Sequence, residues 1–222
     1  MRFFLILCFA AFSFVSAPAQ ERYVKPVDEA KKDASFLAFR TELIEAVKKR
    51  DAKYVLSILD QNIMNNYGGG SGVEEFKETW KISSLQSRLW SELLIVLTNG
   101  GTFSEEAGSK FFSAPYTFSR LPSRLDAFEY QMIFGNNVNL REKPDLQAKT
   151  VARLSYNIVK IDYENSLRTK NNEDRYDWLK VETMGGKKGF VKAEFVRGAF
   201  DYRAIFEKKR GQWKMTAFIA GD

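Results

Sequence analysis

The chain has 222 residues, of which 34 are Lys or Arg and 28 are Asp or Glu, so its formal net charge is +6. It contains no histidine, and its single cysteine is Cys8. If the segment that contains Cys8 is removed, the chain has neither Cys nor His. Disulfides, Cys–His or Ser–His–Asp catalysis and His- or Cys-ligated zinc are then excluded. The mild positive charge favours a solubilising surface with weak attraction to anionic polymers, and the sequence lacks the basic stripe with interleaved aromatics that indicates nucleic-acid binding.

The first residues predict export. Arg2 precedes an apolar run from residue 3 to residue 15, and Ala17-Pro18-Ala19 follows it. This order is typical of a secretory signal peptide, here 1–19, with cleavage after the last alanine. The run is too short to span a bilayer, which needs about 20 apolar residues. We expect a periplasmic or secreted protein that associates with a membrane at most peripherally.

A short leader and a helical part come next. Residues 20–34 are polar and charged, and we expect a mobile leader there. Residues 35–128 are predicted to form a helical and mixed α+β part. Its first helix, with Ser35 as N-cap, is indicated by apolar residues at three- and four-residue spacing, namely Phe36, Phe39, Leu43 and Val47.

Further elements are predicted before residue 128. Ser71 and Glu74 have the spacing of a capping box, which predicts that a helix begins there. Short strands are predicted at Phe111-Phe112 and at Tyr116-Thr117-Phe118. Another helix, ended by Asn99-Gly100-Gly101, is indicated by leucines at helical spacing, namely Leu85, Leu89, Leu93 and Leu97.

A punctuated β pattern runs from residue 134 to residue 197. Short runs rich in β-branched residues, separated by Gly, Pro and Asn clusters, predict the strands of a small barrel. The most distinctive runs are Asn137-Val138-Asn139-Leu140-Arg141, Ile158-Val159-Lys160-Ile161, Trp178-Leu179-Lys180-Val181 and Gly189-Phe190-Val191-Lys192.

The order of these runs resembles the bacterial SH3 domain family, whose pattern V-N-V-R-x-x-P is followed by W-x-K-V and G-x-x-G-W-V. Two positions depart from that pattern: Ser155-Tyr156-Asn157 stands at a turn where the family has glycine, and Phe190 replaces the family's tryptophan. Asparagine tolerates positive φ, so the turn is compatible with the barrel. The resemblance implies an SH3-like barrel over residues 129–198 that serves as a binding module in the cell envelope.

Residues 199–222 predict a β-hairpin. Apolar and polar residues alternate on both sides of a turn at Lys208-Lys209-Arg210-Gly211, and a lone hairpin needs a partner surface because it is marginal in water. Helices followed by a final aromatic hairpin resemble the NTF2-like fold, which ketosteroid isomerase-like proteins share. The favoured arrangement is an α+β protein whose SH3-like barrel is inserted into an NTF2-like domain of helices and an antiparallel sheet, with the hairpin packed on the helical part. The alternative is a hairpin that extends the barrel's own sheet.

The main functional hypothesis is an exported, non-enzymatic envelope protein. Its barrel would recognise peptidoglycan, a peptide or a partner protein, so the expected partners are a cell-wall polymer or an envelope protein. Aromatic faces suit sugars and extended peptides, and arginine suits carboxylates. The candidate ligand-binding residues are Arg141, Tyr163, Tyr176 and Trp178. For Trp178 a place in the barrel core is a competing expectation.

An alternative hypothesis is a small-molecule-binding or isomerase-like NTF2-fold protein with an accessory SH3-like domain. That activity needs an acidic base and an acidic oxyanion partner in an apolar pocket. Tyr67, Tyr116, Asp60 and Asp126 are candidates, but no motif fixes their geometry. We expect no catalytic residues, metal or cofactor, and the sequence leaves the ligand and the oligomeric state open.

Overall fold

The computed structural model describes residues 20–106, 108–170 and 172–221, and the fold is mixed α+β, as the sequence predicts. The predicted signal peptide lies outside the described residues. Within the described part, no helix is long and apolar enough to cross a bilayer. The strands form two sheets, one of five strands and one of seven.

The α-helices lie between residues 34 and 120. One 3-10 turn precedes them, and a second, Ala193–Phe195, lies near the end of the seven-stranded sheet. The first 3-10 turn is Ala30–Lys32. The α-helices are α1 Ala34–Lys48, α2 Ala52–Ser57, α3 Val73–Trp80, α4 Leu89–Thr98 and α5 Tyr116–Arg120.

The strands of the five-stranded sheet come from both ends of the chain, and they are β1 Leu59–Met64, β2 Thr102–Glu106, β3 Ser109–Ala114, β11 Arg203–Lys209 and β12 Gln212–Ile219. The strands of the seven-stranded sheet are consecutive in the chain, and they are β4 Tyr130–Ile133, β5 Val138–Arg141, β6 Thr150–Leu154, β7 Ile158–Thr169, β8 Asn172–Thr183, β9 Lys188–Lys192 and β10 Val196–Arg197. The order of the strands is β1-β12-β11-β3-β2 in the first sheet and β10-β4-β7-β8-β9-β5-β6 in the second.

Two predicted helix starts differ from the structure. The N-cap of α1 is Asp33, whose carboxylate accepts hydrogen bonds from the backbone N–H groups of Ser35 and Phe36 at 2.9 and 3.0 Å, so Ser35 is not the cap. The predicted capping box at Ser71 is absent, because α3 begins after Gly72, which makes no side-chain cap. Ser71 instead forms an antiparallel bridge with Met64.

Two other predicted elements also change. The helix expected from Leu85 begins at Leu89, and Leu85 is 70% exposed. The strand expected at residues 116–118 is helix α5, because the backbone turns at Pro115 and Phe118 N–H donates to the Pro115 carbonyl.

The C-terminal hairpin lies in the five-stranded sheet. Strand β11 pairs with β12 on one side and with β3 on the other, with Phe206 opposite Phe112. Its apolar face packs against the helices, and one core cluster contains Phe36, Leu43, Val47, Leu89 and Leu93 together with Phe206, Trp213, Met215 and Phe218. The hairpin therefore buries its apolar side chains against the helical part, while the seven-stranded sheet has its own core of ten buried residues.

Residues 20–34 were expected to be a mobile leader, and the structure contradicts this. A backbone bridge between Tyr23 and Asn157 joins the segment to the seven-stranded sheet. A second bridge, between Asp28 and Gly101, joins it to the start of β2 in the five-stranded sheet. Glu21 also accepts hydrogen bonds from Thr183 at 2.8 Å and from Asn157 at 3.2 Å. The polar composition reflects ion pairs and hydrogen bonds that fix the segment across both sheets.

One ion pair of this segment predicts a pH dependence of stability. Both Arg40 Nη atoms donate to the Asp28 carboxylate, at 2.8 and 2.6 Å, and Arg40 is only 7% exposed. Burial disfavours the ionised Asp28 carboxylate, but the hydrogen bonds from Arg40 and from Ala30 N–H outweigh it, so the pKa of Asp28 lies below its usual value. The pair therefore stabilises the fold above pH 4, and this contribution is lost as the pH falls further.

We expect Asp28→Asn to lower the free energy of unfolding at pH 7 by about 1–2 kcal/mol, because Arg40 keeps its buried charge without its counter-ion and Asp28 was itself partly solvated. Urea unfolding of both proteins across pH 3–7 measures the effect. The difference between them should shrink below pH 4. A difference that stays constant over this range would contradict the assigned role of Asp28.

Candidate functional site

The candidate residues Tyr163 and Tyr176 come together on the long β7–β8 hairpin. Their ring centroids are 5.7 Å apart, and Tyr163 is 38% exposed. The pairing of β7 with β8 shifts register between Asp162 and Leu167, so the intervening residues bulge from the ladder. Ser166 fixes this bulge, since its hydroxyl donates to the Asp162 carbonyl and accepts from Lys180 N–H. The bulge presents Tyr163 beside Tyr176.

Tyr163 is held as a neutral hydrogen-bonding group. Gln131 Nε2 donates to Tyr163 Oη at 2.7 Å. Burial, with the nearby Asp201 charge, raises the pKa of Tyr163 to about 12, so the phenol keeps its proton at physiological pH. Arg168 lies on β7, as Tyr163 does, and its guanidinium is 4.9 Å from the Tyr176 ring centroid on β8, within the range of a cation–π contact.

The other two candidate residues do not join this pair. Trp178 is only 5% exposed, and Lys192 Nζ lies 5.2 Å over its ring, so the tryptophan is a buried packing residue rather than an exposed ligand contact. Arg141 lies on β5, which is two strands away from β8. Its Nη1 donates to the Ala148 carbonyl at 2.8 Å, which directs the guanidinium to the local loop.

A groove of about 800 Å³ passes beside Tyr176. One wall is the outer face of α4, and the other is made by the β7–β8 hairpin and the 3-10 turn before β10. Its lining residues are Arg88, Glu92, Ile95, Asn99, Phe134, Thr169, Arg175, Tyr176, Asp177, Ala193, Glu194, Phe195, Val196, Arg197, Asp201, Tyr202 and Ala220. We call it the junction groove, because it lies between the helical part and the seven-stranded sheet.

An ion pair closes the floor of the junction groove. Arg197 Nη2 donates to Glu92 Oε1 and to the Tyr202 carbonyl, both at 2.7 Å. The side chains of Arg197 and Glu92 are 10% and 18% exposed, so the pair is largely removed from water and fixes α4 against the end of the seven-stranded sheet. The ion pair therefore joins the two walls of the groove, α4 and the end of the seven-stranded sheet.

Two arginines of the junction groove remain available to a ligand. Arg88 precedes α4 and Arg175 lies on β8, and neither makes a side-chain hydrogen bond or ion pair with another described residue. The lining also carries four carboxylates, at Glu92, Asp177, Glu194 and Asp201. Ile95 and Phe195, which are 38% and 40% exposed, add apolar surface. This mixture suits a ligand with charges of both signs and apolar groups.

A second, smaller cleft adjoins the groove. It measures about 440 Å³ and is lined by Ala127, Phe128, Gln131, Tyr163, Gly198, Phe200 and Asp201. Phe128 is 62% exposed, and its ring centroid lies 4.8 Å from that of Phe200. Because Asp201 borders both depressions and Tyr163 contacts Tyr176, an aromatic surface continues from the cleft into the junction groove.

The interior of the helical part is filled by aromatic rings. The ring centroids of Phe36 and Phe112 are 4.2 Å apart, and those of Phe36 and Trp213 are 4.9 Å apart. On the other side of the core, Trp80 lies 5.0 Å from Phe218. Of the acid and tyrosine candidates, Tyr116 is buried in a separate cluster with Val24 and Met132, away from this interior. These rings pack in the part of the core where the alternative hypothesis expects a ligand cavity of the NTF2-like kind.

None of the ligand-binding residues predicted from the sequence lies on the α4 side of the junction groove. Arg88, Glu92, Ile95 and Asn99 recur at three- and four-residue spacing, so they share one face of the helix opposite its buried leucines. That polar face is visible in the sequence, but nothing in it shows that the β7–β8 hairpin lies alongside.

Comparison with protein-family models and with curated proteins found no match for this chain. Among the described residues there is no group of three or more Asp, Glu, His or Cys side chains that could hold a metal ion.

Proposed function

We propose that this is an exported cell-envelope binding protein in which the seven-stranded sheet acts as an SH3-like module. Its ligand is peptidoglycan, a peptide or a partner protein. In each case an extended peptide segment of the ligand binds in the junction groove. The observation that supports this most is the junction groove itself. It places Tyr176 along one open channel with two arginines that form no side-chain hydrogen bond or ion pair among the residues that the structure describes.

An extended peptide fits the chemistry of the junction groove. Arg88 and Arg175 can bind carboxylates, and Asp177 and Glu194 can bind ammonium groups. Tyr176, Ile95 and Phe195 offer apolar surface for side chains. Peptides that cross-link a cell wall and peptide segments of envelope proteins both carry such groups, so the two sources share one mode of recognition. The aromatic rings packed between the helices and the five-stranded sheet favour this binding role over the small-molecule alternative.

Co-sedimentation with purified sacculi tests the proposal. We expect Tyr176→Ala to lower retention at least about tenfold, because a partly buried aromatic contact in a binding groove is the kind of residue whose truncation costs most. Arg175→Gln should also lower retention, and it changes an exposed side chain. Tyr23→Ala, which truncates a 55% exposed tyrosine of the N-terminal segment, should bind as the unaltered protein does.

If sacculi retain both groove variants as well as the unaltered protein, the junction groove is not the binding site. If sacculi fail to retain even the unaltered protein, the same variants are compared for capture of envelope proteins. Loss of a captured partner with Tyr176→Ala and Arg175→Gln then identifies the peptide as part of a protein.

A further inference from the structure

A second groove lies at the far end of the five-stranded sheet and has a different charge. It measures about 590 Å³ and is formed by β1 and the turn between β11 and β12. Four cations line it, Lys208, Lys209, Arg210 and Lys214, against a single carboxylate, Asp60. We call this the basic groove. Strand β11 has seven residues and runs from the junction groove to the basic groove, so the two sites are about 20 Å apart.

The three lysines of the basic groove are positioned by the fold. Lys208 Nζ donates to Ser35 Oγ at 3.2 Å, and Lys214 Nζ donates to the Ser57 carbonyl at 2.7 Å. Lys209 pairs with Glu207 at 2.6 Å. Arg210 makes no side-chain hydrogen bond or ion pair with another described residue and is exposed. The like charges that line the basic groove disfavour one another, and a bound anion lowers this repulsion.

The turn residue Arg210 is itself unusual. Lys209 pairs with Gln212, so Arg210 and Gly211 are the two central residues of the hairpin turn, and their φ values are +50° and +82°. A turn with positive φ at both positions strongly favours Asn-Gly, whereas arginine pays a steric cost in this conformation. The chain thus has a charged residue at a position where backbone geometry alone favours asparagine.

We propose that the basic groove binds a linear phosphate-bearing polymer, with one phosphate group seated between Lys209, Arg210 and Lys214. Amide side chains of Gln61, Asn62 and Gln212 line the same groove and can donate to further phosphate oxygens. The single apolar lining residue, Leu59, is 5% exposed, so the groove offers no apolar anchor for a lipid surface. A concave, cationic and amide-lined channel fits a soluble polyanion.

Isothermal titration with linear inorganic polyphosphate, orthophosphate and vesicles containing anionic phospholipid tests this proposal. The variant Lys209→Gln/Arg210→Asn should weaken polyphosphate binding at least about tenfold, since each charge-assisted contact is worth about that factor. Affinity for polyphosphate should also fall with rising salt, and less steeply in the variant. Orthophosphate should bind far more weakly than the polymer.

Two controls separate the basic groove from net charge and from folding. Lys143→Gln/Lys149→Gln removes two exposed cations of the loop between β5 and β6 and should leave polyphosphate binding unchanged. Arg210→Asn alone should raise thermal stability or leave it unchanged while it weakens binding, because asparagine suits the turn. Equal weakening by the two double variants would overturn the proposal in favour of general electrostatic attraction. Binding to anionic vesicles without binding to polyphosphate would overturn it in favour of a lipid surface.

Discussion

Removal of residues 200–222 is expected to unfold the helical part of the chain while the seven-stranded sheet still folds. The deletion takes away β11 and β12, which occupy the middle of the five-stranded sheet, and with them Phe206, Trp213, Met215 and Phe218. Each of these large side chains contributes roughly 1.5–3 kcal/mol when fully buried, so their combined loss is comparable to the stability of a whole domain. Circular dichroism of the truncated protein should show loss of the helical signal and of its cooperative melt.

The reciprocal deletion is the control. Met132 on β4 pairs with Arg197 on β10, so the chain enters and leaves the seven-stranded sheet on neighbouring strands. A short Gly-Ser linker in place of residues 130–197 should therefore leave the helices and the five-stranded sheet folded. Retention of the helical signal after removal of 200–222 would show that the hairpin is dispensable, and loss of that signal in the linker variant would show that the two parts fold as one unit.

Phe36→Ala is expected to give the largest effect of any single substitution in the helical part. Phe36 is fully buried, and its ring contacts the rings of Phe39, Phe103, Phe112, Phe206 and Trp213. It thus joins α1 to four strands of the five-stranded sheet, namely β2, β3 and the two strands of the hairpin. Truncation of a buried phenylalanine costs about 3–5 kcal/mol, because the cavity that it leaves cannot collapse in a close-packed core.

The matched control is Phe128→Ala, which removes the same atoms from a side chain that is 62% exposed. We expect this control to change the free energy of unfolding by less than about 1 kcal/mol. Urea unfolding followed by the helical circular dichroism signal measures both variants. Similar losses in Phe36→Ala and Phe128→Ala would contradict the position of Phe36 at the centre of the core.

The sequence could predict those elements in which local pattern and tertiary packing agree. Helix α1 shows this, because its apolar face at Phe36, Leu43 and Val47 is the face that meets the hairpin. The alternation of the hairpin itself predicted that it needs a partner surface, and that surface is the helical layer. In these elements the periodicity of the buried face carries the information.

The sequence could not predict features that depend on long-range contacts. The polarity of residues 20–34 indicated mobility, yet Glu21 and Asp28 form bonds with residues more than ten positions away. The sequence predicts Trp178 as an exposed ligand contact, but in the fold Lys192 lies over its ring and the side chain is buried. The junction groove needs residues of α4 and β8 side by side, and no spacing within either element shows that they meet.

Hydrogen–deuterium exchange of the full chain with and without soluble peptidoglycan fragments that carry their peptides tests the central claim most directly. We expect slower amide exchange on both walls of the junction groove, at residues 88–99 along α4 and at residues 175–178 of β8. Amide exchange at the basic groove and at Arg141 on β5 should be unchanged. Protection confined to the surface around Arg141, or unchanged exchange along both walls with a fragment that binds, would contradict it.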